Sequence, residues 1–147
     1  MDTRTAHEIR PVRTARERDA ALALRHRVFC EEQGVEPGLD RDGRDDDALH
    51  LVALRDGEVI GTCRLVFDGP TAKLGRMAVE RAQRGRGVGA RVLAEGIAQA
   101  RRGGSARVAL HAQTSAVSFY ARAGFVARGE PFEQAGIEHV GMDLSLA

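Results

Sequence analysis

The sequence contains no tryptophan, a single tyrosine and only two cysteines. Cys30 and Cys63 fall in different predicted elements without metal-type spacing, which argues against a disulfide scaffold and for reduced thiols in a cytoplasmic protein. No apolar stretch is long enough to cross a membrane, because Arg, Asp or Gly interrupts each at strand length. Residues 1–13 carry mixed charge and lack the apolar run of a secretory signal. Internal repeats, low-complexity tracts, a Gly-Lys-Ser/Thr phosphate loop and any interpretable Ser-His-Asp or Cys-His grouping are all missing. The net charge of +1 is too small for a generic nucleic-acid binder. These absences leave one soluble domain over residues 1–147, with no membrane and no nucleic acid among its partners.

At 147 residues, 43% hydrophobic and 29% charged, the chain can bury a core of its own. Its charges are unevenly placed. Residues 31–47 hold eight acids against two arginines, whereas residues 81–102 hold six arginines and one acid, Glu95. The first stretch suits a cation, which raises the expectation of a cationic acceptor molecule; the second suits an anion.

Residues 7–13 read as a first strand. Thr14 and Glu17 then have the spacing of a capping box, opening a helix to about residue 33 that Gly34 ends. Leu24, Val28 and Phe29 are its inward residues, and residues 34–48 read as an irregular loop. Strands at 51–54 and 59–66 flank the hairpin pair Asp56-Gly57, and a turn at Asp68-Gly69-Pro70 leads into a strand at 73–79. Val88, Val92, Leu93, Ile97 and Ala100 share one face of a helix that ends at Gly103-Gly104. A strand at 106–111, a helix at 115–123 capped by Thr114 or Ser115 and stopped by Gly124, and strands at 125–128 and 137–144 complete the order. The expected class is α/β (an α+β mixed sheet), with helices flanking a central sheet.

Between the strand at 73–79 and the next helix stands Gln83-Arg84-Gly85-Arg86-Gly87-Val88-Gly89. The first turn of a helix has unpaired N–H groups and a partial positive charge. Glycines at 85, 87 and 89 let a pyrophosphate approach them, and Arg84 and Arg86 can add charge-assisted bonds. Gly85, Gly87 and Ala90 also satisfy a loose dinucleotide fingerprint. That reading fails on context: residues 80–84 intervene after the strand, antiparallel strands precede it, and the strand at 106–111 ends without an acid.

The segment Arg84-Gly85-Arg86-Gly87-Val88-Gly89 resembles the coenzyme A pyrophosphate loop of the GNAT superfamily of N-acyltransferases, Arg/Gln-x-x-Gly-x-Gly/Ala. Phe119-Tyr120 with Gly124-Phe125 is similar to that family's Tyr-x-x-x-Gly-Phe signature, and the order of elements agrees over nearly the whole chain. Where the family often has Asn seven residues before the tyrosine, this chain has Gln113. Leu24-Arg25-x-x-Val28-Phe29-x-x-Glu32-Gln33-Gly34, with Gly136-Ile137-x-His139, resembles the ElaA/YjcF-like branch, and Arg-x-x-Val-Phe is also similar to a segment of acyl-homoserine-lactone synthases. The resemblance implies acetyl-CoA as acyl-donor co-substrate, without a metal, and an amine of a small molecule or protein as acceptor. It further implies that Met77, Ala78 and Val79 hold the pantetheine arm through their backbone, that residues 84–89 and Gln113 contact the cofactor, and that Tyr120 is the acid near sulfur.

A base must accept the amine proton. His50, His111 and His139 each begin or end a predicted strand, and His111 is the preferred candidate because its strand leads into the cofactor cleft. Their spacing is too irregular for zinc, and Asp40-Arg41-Asp42-Gly43 fails as a calcium loop because Leu51 stands at the closing position. A non-catalytic acyl-CoA sensor and a homoserine-lactone-synthase-like enzyme are the alternatives, and the exposed final strands leave room for a homodimer.

Overall fold

The computed structural model describes residues 7–146. The expectations for residues 1–6 and 147, including the first six residues of the stretch read for a secretory signal, lie outside them. The described residues form seven strands in one sheet, ordered β1-β2-β3-β4-β5-β7-β6. In chain order these are β1 (Glu8–Pro11), α1 (Ala15–Arg25), α2 (Pro37–Asp40), β2 (Leu49–Arg55), β3 (Glu58–Asp68), β4 (Thr71–Val79), α3 (Val88–Arg102), β5 (Arg107–Gln113), α4 (Val117–Ala121), β6 (Val126–Gln134) and β7 (Ile137–Ser145). The expected order holds. Asp56 and Gly57 both adopt positive φ in the β2–β3 hairpin, as do Ala135 and Gly136 between β6 and β7.

Several boundaries differ from the sequence reading for local reasons. Thr14 accepts a hydrogen bond from the Glu17 N–H at 3.1 Å, but the Glu17 carboxylate turns to the Arg13 N–H and Arg10 instead of closing the box. After Arg25 the helix widens into a π-helical stretch, His26–Glu32, rather than continuing as α. The extra residue per turn keeps Val28 buried while Phe29 lines a cavity. Two adjacent apolar residues conceal that change of period in the sequence. Residues 114–116 form a 3-10 turn and α4 is short, with no side-chain cap from Thr114 or Ser115.

β4 is antiparallel to β3 and parallel to β5, but the parallel pairing stops after Thr71↔Arg107, Ala72↔Val108 and Lys73↔Ala109. The cause lies two residues later. Between Thr62 and Arg64 of β3, the partner position on β4 moves from Ala78 to Gly75, so β4 carries one extra residue there. Arg76, in that bulge, adopts φ 55, which costs a non-glycine residue about 1–3 kcal/mol. Beyond Lys73 the strands splay apart and leave an opening in the sheet. α3 covers the sheet beside this opening, with Val88, Val92, Leu93 and Ala100 buried against Leu51, Leu65 and Val108. Each large aliphatic side chain buried there contributes about 1.5–3 kcal/mol. The approach is close at Gly96, where an added Cβ would lie 2.8 Å from Leu74 Cδ1.

The acidic stretch, read as a loop, contains α2 and a 3-10 turn at Asp45–Asp47, held down by buried charges. Arg25, 1% exposed, donates to Asp45 Oδ1 at 2.7 Å, to Asp40 Oδ1 at 3.3 Å and to the Asp40 carbonyl at 3.0 Å. Arg64 donates to both oxygens of Asp42 and to Asp45 Oδ1, while Arg76 reaches the carbonyls of Leu39 and Asp40 and Asp42 Oδ2. Taking these ions out of water is costly, and it is offset only because most of their donors and acceptors are matched. The expected cation-attracting loop is thus largely neutralised by arginines from α1, β3 and β4.

The Arg64 guanidinium holds the Asp42 carboxyl below the usual range; at Asp45, burial opposes ionisation but the bonds from Arg25 and Arg64 outweigh it. A carboxyl depressed in the folded state stabilises the fold above its unfolded pKa of about 3.9 and loses that contribution as pH falls through the folded value. The melting temperature should therefore be level from pH 7 to about pH 5 and fall below about pH 4. Asp42→Asn should melt lower at pH 7 and show a shallower acid slope. An identical slope in the variant, measured by calorimetry, would remove the network from the explanation.

Candidate active site

The opening between β4 and β5 holds a cavity of about 650 Å³. Phe29 and Gln33 of the π-helical stretch, Leu74 to Met77 of β4, His111 and Gln113 of β5, Phe119 and Tyr120 of α4, and His139 of β7 are among its walls. Residues scattered over more than a hundred sequence positions meet because the sheet parts here.

The edge of β4 facing this opening is unpaired beyond Lys73. The Glu80 N–H donates to the Ile60 carbonyl at 2.8 Å. Successive peptide groups in a strand point to opposite edges, so Val79 turns its N–H and C=O away from β3. Arg84 Nε donates to that Val79 carbonyl at 3.0 Å. Met77 lines the cavity directly, whereas Ala78 is buried and paired with Thr62.

Next along the chain, Gly85 and Gly87 adopt φ 78 and 82, and a Cβ at either would meet nothing within 4 Å. The left-handed backbone explains both glycines, and the open space above them leaves room for a bulky group. Gly87 caps α3 without a side-chain bond, and the ladder begins when the Arg91 N–H reaches the Gly87 carbonyl. The N–H groups of Val88, Gly89 and Ala90 therefore have no partner within the helix. Gly89 touches the cavity wall, since its Cβ would sit 3.4 Å from Phe119 Cζ and 3.5 Å from Val79 Cγ2. The two arginines differ. Arg84 is clamped by Glu32, with Nη1 at 2.8 Å and Nη2 at 3.0 Å from its two oxygens, while Arg86 makes no ion pair among the described residues. Gln113 Nε2 donates to Gln33 Oε1 at 2.9 Å, spanning the mouth between β5 and the π-helical stretch.

Tyr120 is 8% exposed, packed edge-on between Phe119 and Phe125 at 5.0 and 6.0 Å. Its hydroxyl forms no hydrogen bond with any described residue. Burial, with a smaller contribution from Cys63, pushes the phenol up to about 12, so it is a neutral donor near pH 7.

The histidines separate. His50 is buried, its Nε2 bound to the Asp45 carbonyl at 2.8 Å, and it serves the acidic segment rather than the cavity. His111 Nδ1 lies 3.0 Å from Gln134 Oε1 and His139 Nδ1 lies 2.7 Å from the Ile137 carbonyl. Both partners are acceptors, so in the neutral tautomer that suits them Nδ1 carries the proton and Nε2 the lone pair. Phe132 packs edge-on to His111 at 4.9 Å and stacks on His139 at 6.1 Å. Phe29, Phe119 and the Arg25–Arg64–Arg76 cluster were not singled out as site residues from the sequence. Phe29, Phe119 and Arg25 lie within the family-like segments, but no spacing rule joins Arg25 to Arg64 on β3 and Arg76 on β4.

Among the described residues no group of three or more His, Cys, Asp or Glu side chains is placed to hold a metal ion, and no helix is long and apolar enough to cross a membrane.

The profile of the acetyltransferase (GNAT) domain matches residues 14–146. A UPF0039 protein of Synechocystis is 36% identical over 126 residues, 82% of this chain and 81% of its own. The uncharacterized N-acetyltransferase YjcF of Bacillus subtilis is 32% identical over 83% of this chain and 88% of its own. Among solved structures, Escherichia coli ElaA superposes with a TM-score of 0.83 at 27% identity, covering 93% of this chain and 98% of that one. The fold is also that of a GNAT family acetyltransferase from Elizabethkingia anophelis with acetyl-CoA bound, at a TM-score of 0.73, 18% identity, and 97% and 99% coverage. A parted sheet, an uncapped glycine-led helix and a buried tyrosine between them, together with these likenesses, place the chain in the GNAT acetyltransferase family.

Proposed function

We propose that this protein is an N-acetyltransferase that moves the acetyl group of acetyl-CoA to a primary amine by direct attack within a ternary complex. The observation that carries the reading is how near the free N–H groups of α3, the unpaired edge of β4 and Tyr120 lie: Gly89 lies against Phe119, Phe119 packs on Tyr120, and Tyr120 and Met77 line one cavity. The acetyl-CoA bound by the Elizabethkingia relative supports the choice of donor.

In this reading the pyrophosphate lies on Val88, Gly89 and Ala90, with Gly85 and Gly87 leaving room for it and Arg86 adding charge. Pantetheine continues the sheet beside Met77 to Val79, replacing the pairing that β5 gives up. Arg84 exchanges Glu32 for phosphate or stays to brace the β4 end, and Gln113 releases Gln33 to reach the arm. A backbone N–H of the bulged strand polarises the thioester carbonyl. The neutral amine forms a C–N bond to that carbon and the C–S bond breaks. The thiolate takes the Tyr120 proton, and the amine proton passes to His111 Nε2, with His139 offering a second lone pair. Water then restores both protein groups.

Acetyl-CoA hydrolysis-corrected thiol release with a panel of amines tests this reading; amine-dependent thiol release supports it. Tight acetyl-CoA binding with no amine accepted would favour the sensor reading instead. Tyr120→Phe removes a hydroxyl that holds nothing in the fold, so we expect an unchanged melting temperature and a kcat lower by about 10²-fold. An unaltered kcat would take Tyr120 out of the chemistry. Gly87→Glu places a carboxylate on a left-handed residue at the phosphate position, and acetyl-CoA affinity by calorimetry should fall by at least about 10²-fold. Retained affinity would mean that the loop does not hold the cofactor.

A further inference from the structure

The cavity extends past Tyr120 and the two histidines to the arginine–aspartate cluster, and the state of its charges says what kind of amine fits there. Asp42 is saturated. Its Oδ1 accepts from Arg64 Nη1 and from the Arg44 N–H, and its Oδ2 from Arg64 Nη2 and Arg76 Nη2. A carboxylate offers about four acceptor positions, so none is left for a ligand ammonium. Asp40 is 3% exposed and shared by Arg25 and Arg76. Lys73, also on the wall, is paired with Asp68 at 2.9 Å. Among the described charged residues that line the cavity, exposed Arg44 alone makes no ion pair through its side chain, its charge acting on Asp68 only at longer range.

Arg76 leans the same way. It lines the cavity with 22% of its side chain exposed, and burial together with the nearby Arg64 charge pulls its pKa below the ordinary arginine value. A nearby anion would offset the repulsion from Arg64. The remainder of this end is apolar, with Val35, Leu39, Val66 and Ile137 on its walls.

We infer that the acceptor is an amine that also carries a carboxylate on an apolar body, the carboxylate bound by Arg44 beside Arg76 and the amine directed toward Tyr120. The inference rests on the proposed acyl transfer for its chemistry, but the anion site itself does not. It replaces the cationic acceptor suggested by the run of acids, because the two acids of that run on the cavity wall, Asp40 and Asp42, already have their cations. A polyamine would bring a second ammonium to a wall with no free carboxylate and one free guanidinium.

Leucine, leucinamide and spermidine serve as probes, measured both for acetyl transfer and for binding to the CoA complex by saturation-transfer NMR. We expect leucine to be used at least about tenfold more efficiently than leucinamide, in line with a charge-assisted bond, and spermidine least. Arg44→Gln should reduce kcat/KM for leucine about tenfold more than for leucinamide, and Arg44→Lys should restore part of the preference. Equal losses for both compounds, or a preference for leucinamide or spermidine, would overturn the inference while leaving acyl transfer intact. Leucine binding that depends on Arg44 without any turnover would uphold the anion site and count against the enzymatic reading. No detectable leucine binding in the CoA complex would overturn the inference.

Discussion

One extra residue in β4 governs the working part of this molecule. Arg76 occupies a left-handed bulge opposite Thr62–Arg64, and the parallel pairing of β4 with β5 ends just before it, at Lys73. A bulge bends and twists its strand, so the edge that would have continued the ladder is released. The cavity lined by Met77 and Tyr120 and the edge of β4 left without a partner strand both follow from that release. The conformational cost at Arg76 is met by its guanidinium, which binds the carbonyls of Leu39 and Asp40 and the carboxylate of Asp42. The strained residue is therefore also the one that fastens the acidic segment to the sheet.

That double role joins the two ends of the cavity. At one end, α3 begins with unpaired N–H groups after Gly85 and Gly87, next to Phe119. At the other end, three arginines from three elements neutralise Asp40, Asp42 and Asp45 and leave Arg44 facing the space. Tyr120 and the histidines His111 and His139 stand among the walls that connect them. In the proposed reading, a long anionic donor enters from one side and the acceptor from the other.

Much of this was legible in the sequence, and the part that was not has a common cause. The hairpin at Asp56-Gly57, the amphipathic face of α3 and the glycine loop are local patterns, readable because turn chemistry and helix period act over a few residues. Tyr120 could be singled out because the chain has no other tyrosine and a glycine-phenylalanine pair follows it. The π-helical widening after Arg25 was hidden by the adjacent Val28 and Phe29, both apolar. The meaning of the acidic run was hidden because its counter-ions Arg25, Arg64 and Arg76 come from distant elements, and charge counting along the chain cannot pair across a sheet. The bulge was hidden too, since Arg76 is not a residue that announces positive φ.

The account stands on acetyl-CoA continuing the sheet at the open edge of β4 with its pyrophosphate on α3. Residue-resolved hydrogen exchange with and without acetyl-CoA tests this most directly. Protection should rise at the amides of Met77 and Val79 and at Val88, Gly89 and Ala90, with little change along β6. Unchanged exchange at those amides when acetyl-CoA is bound, or new protection confined to other elements, would contradict it.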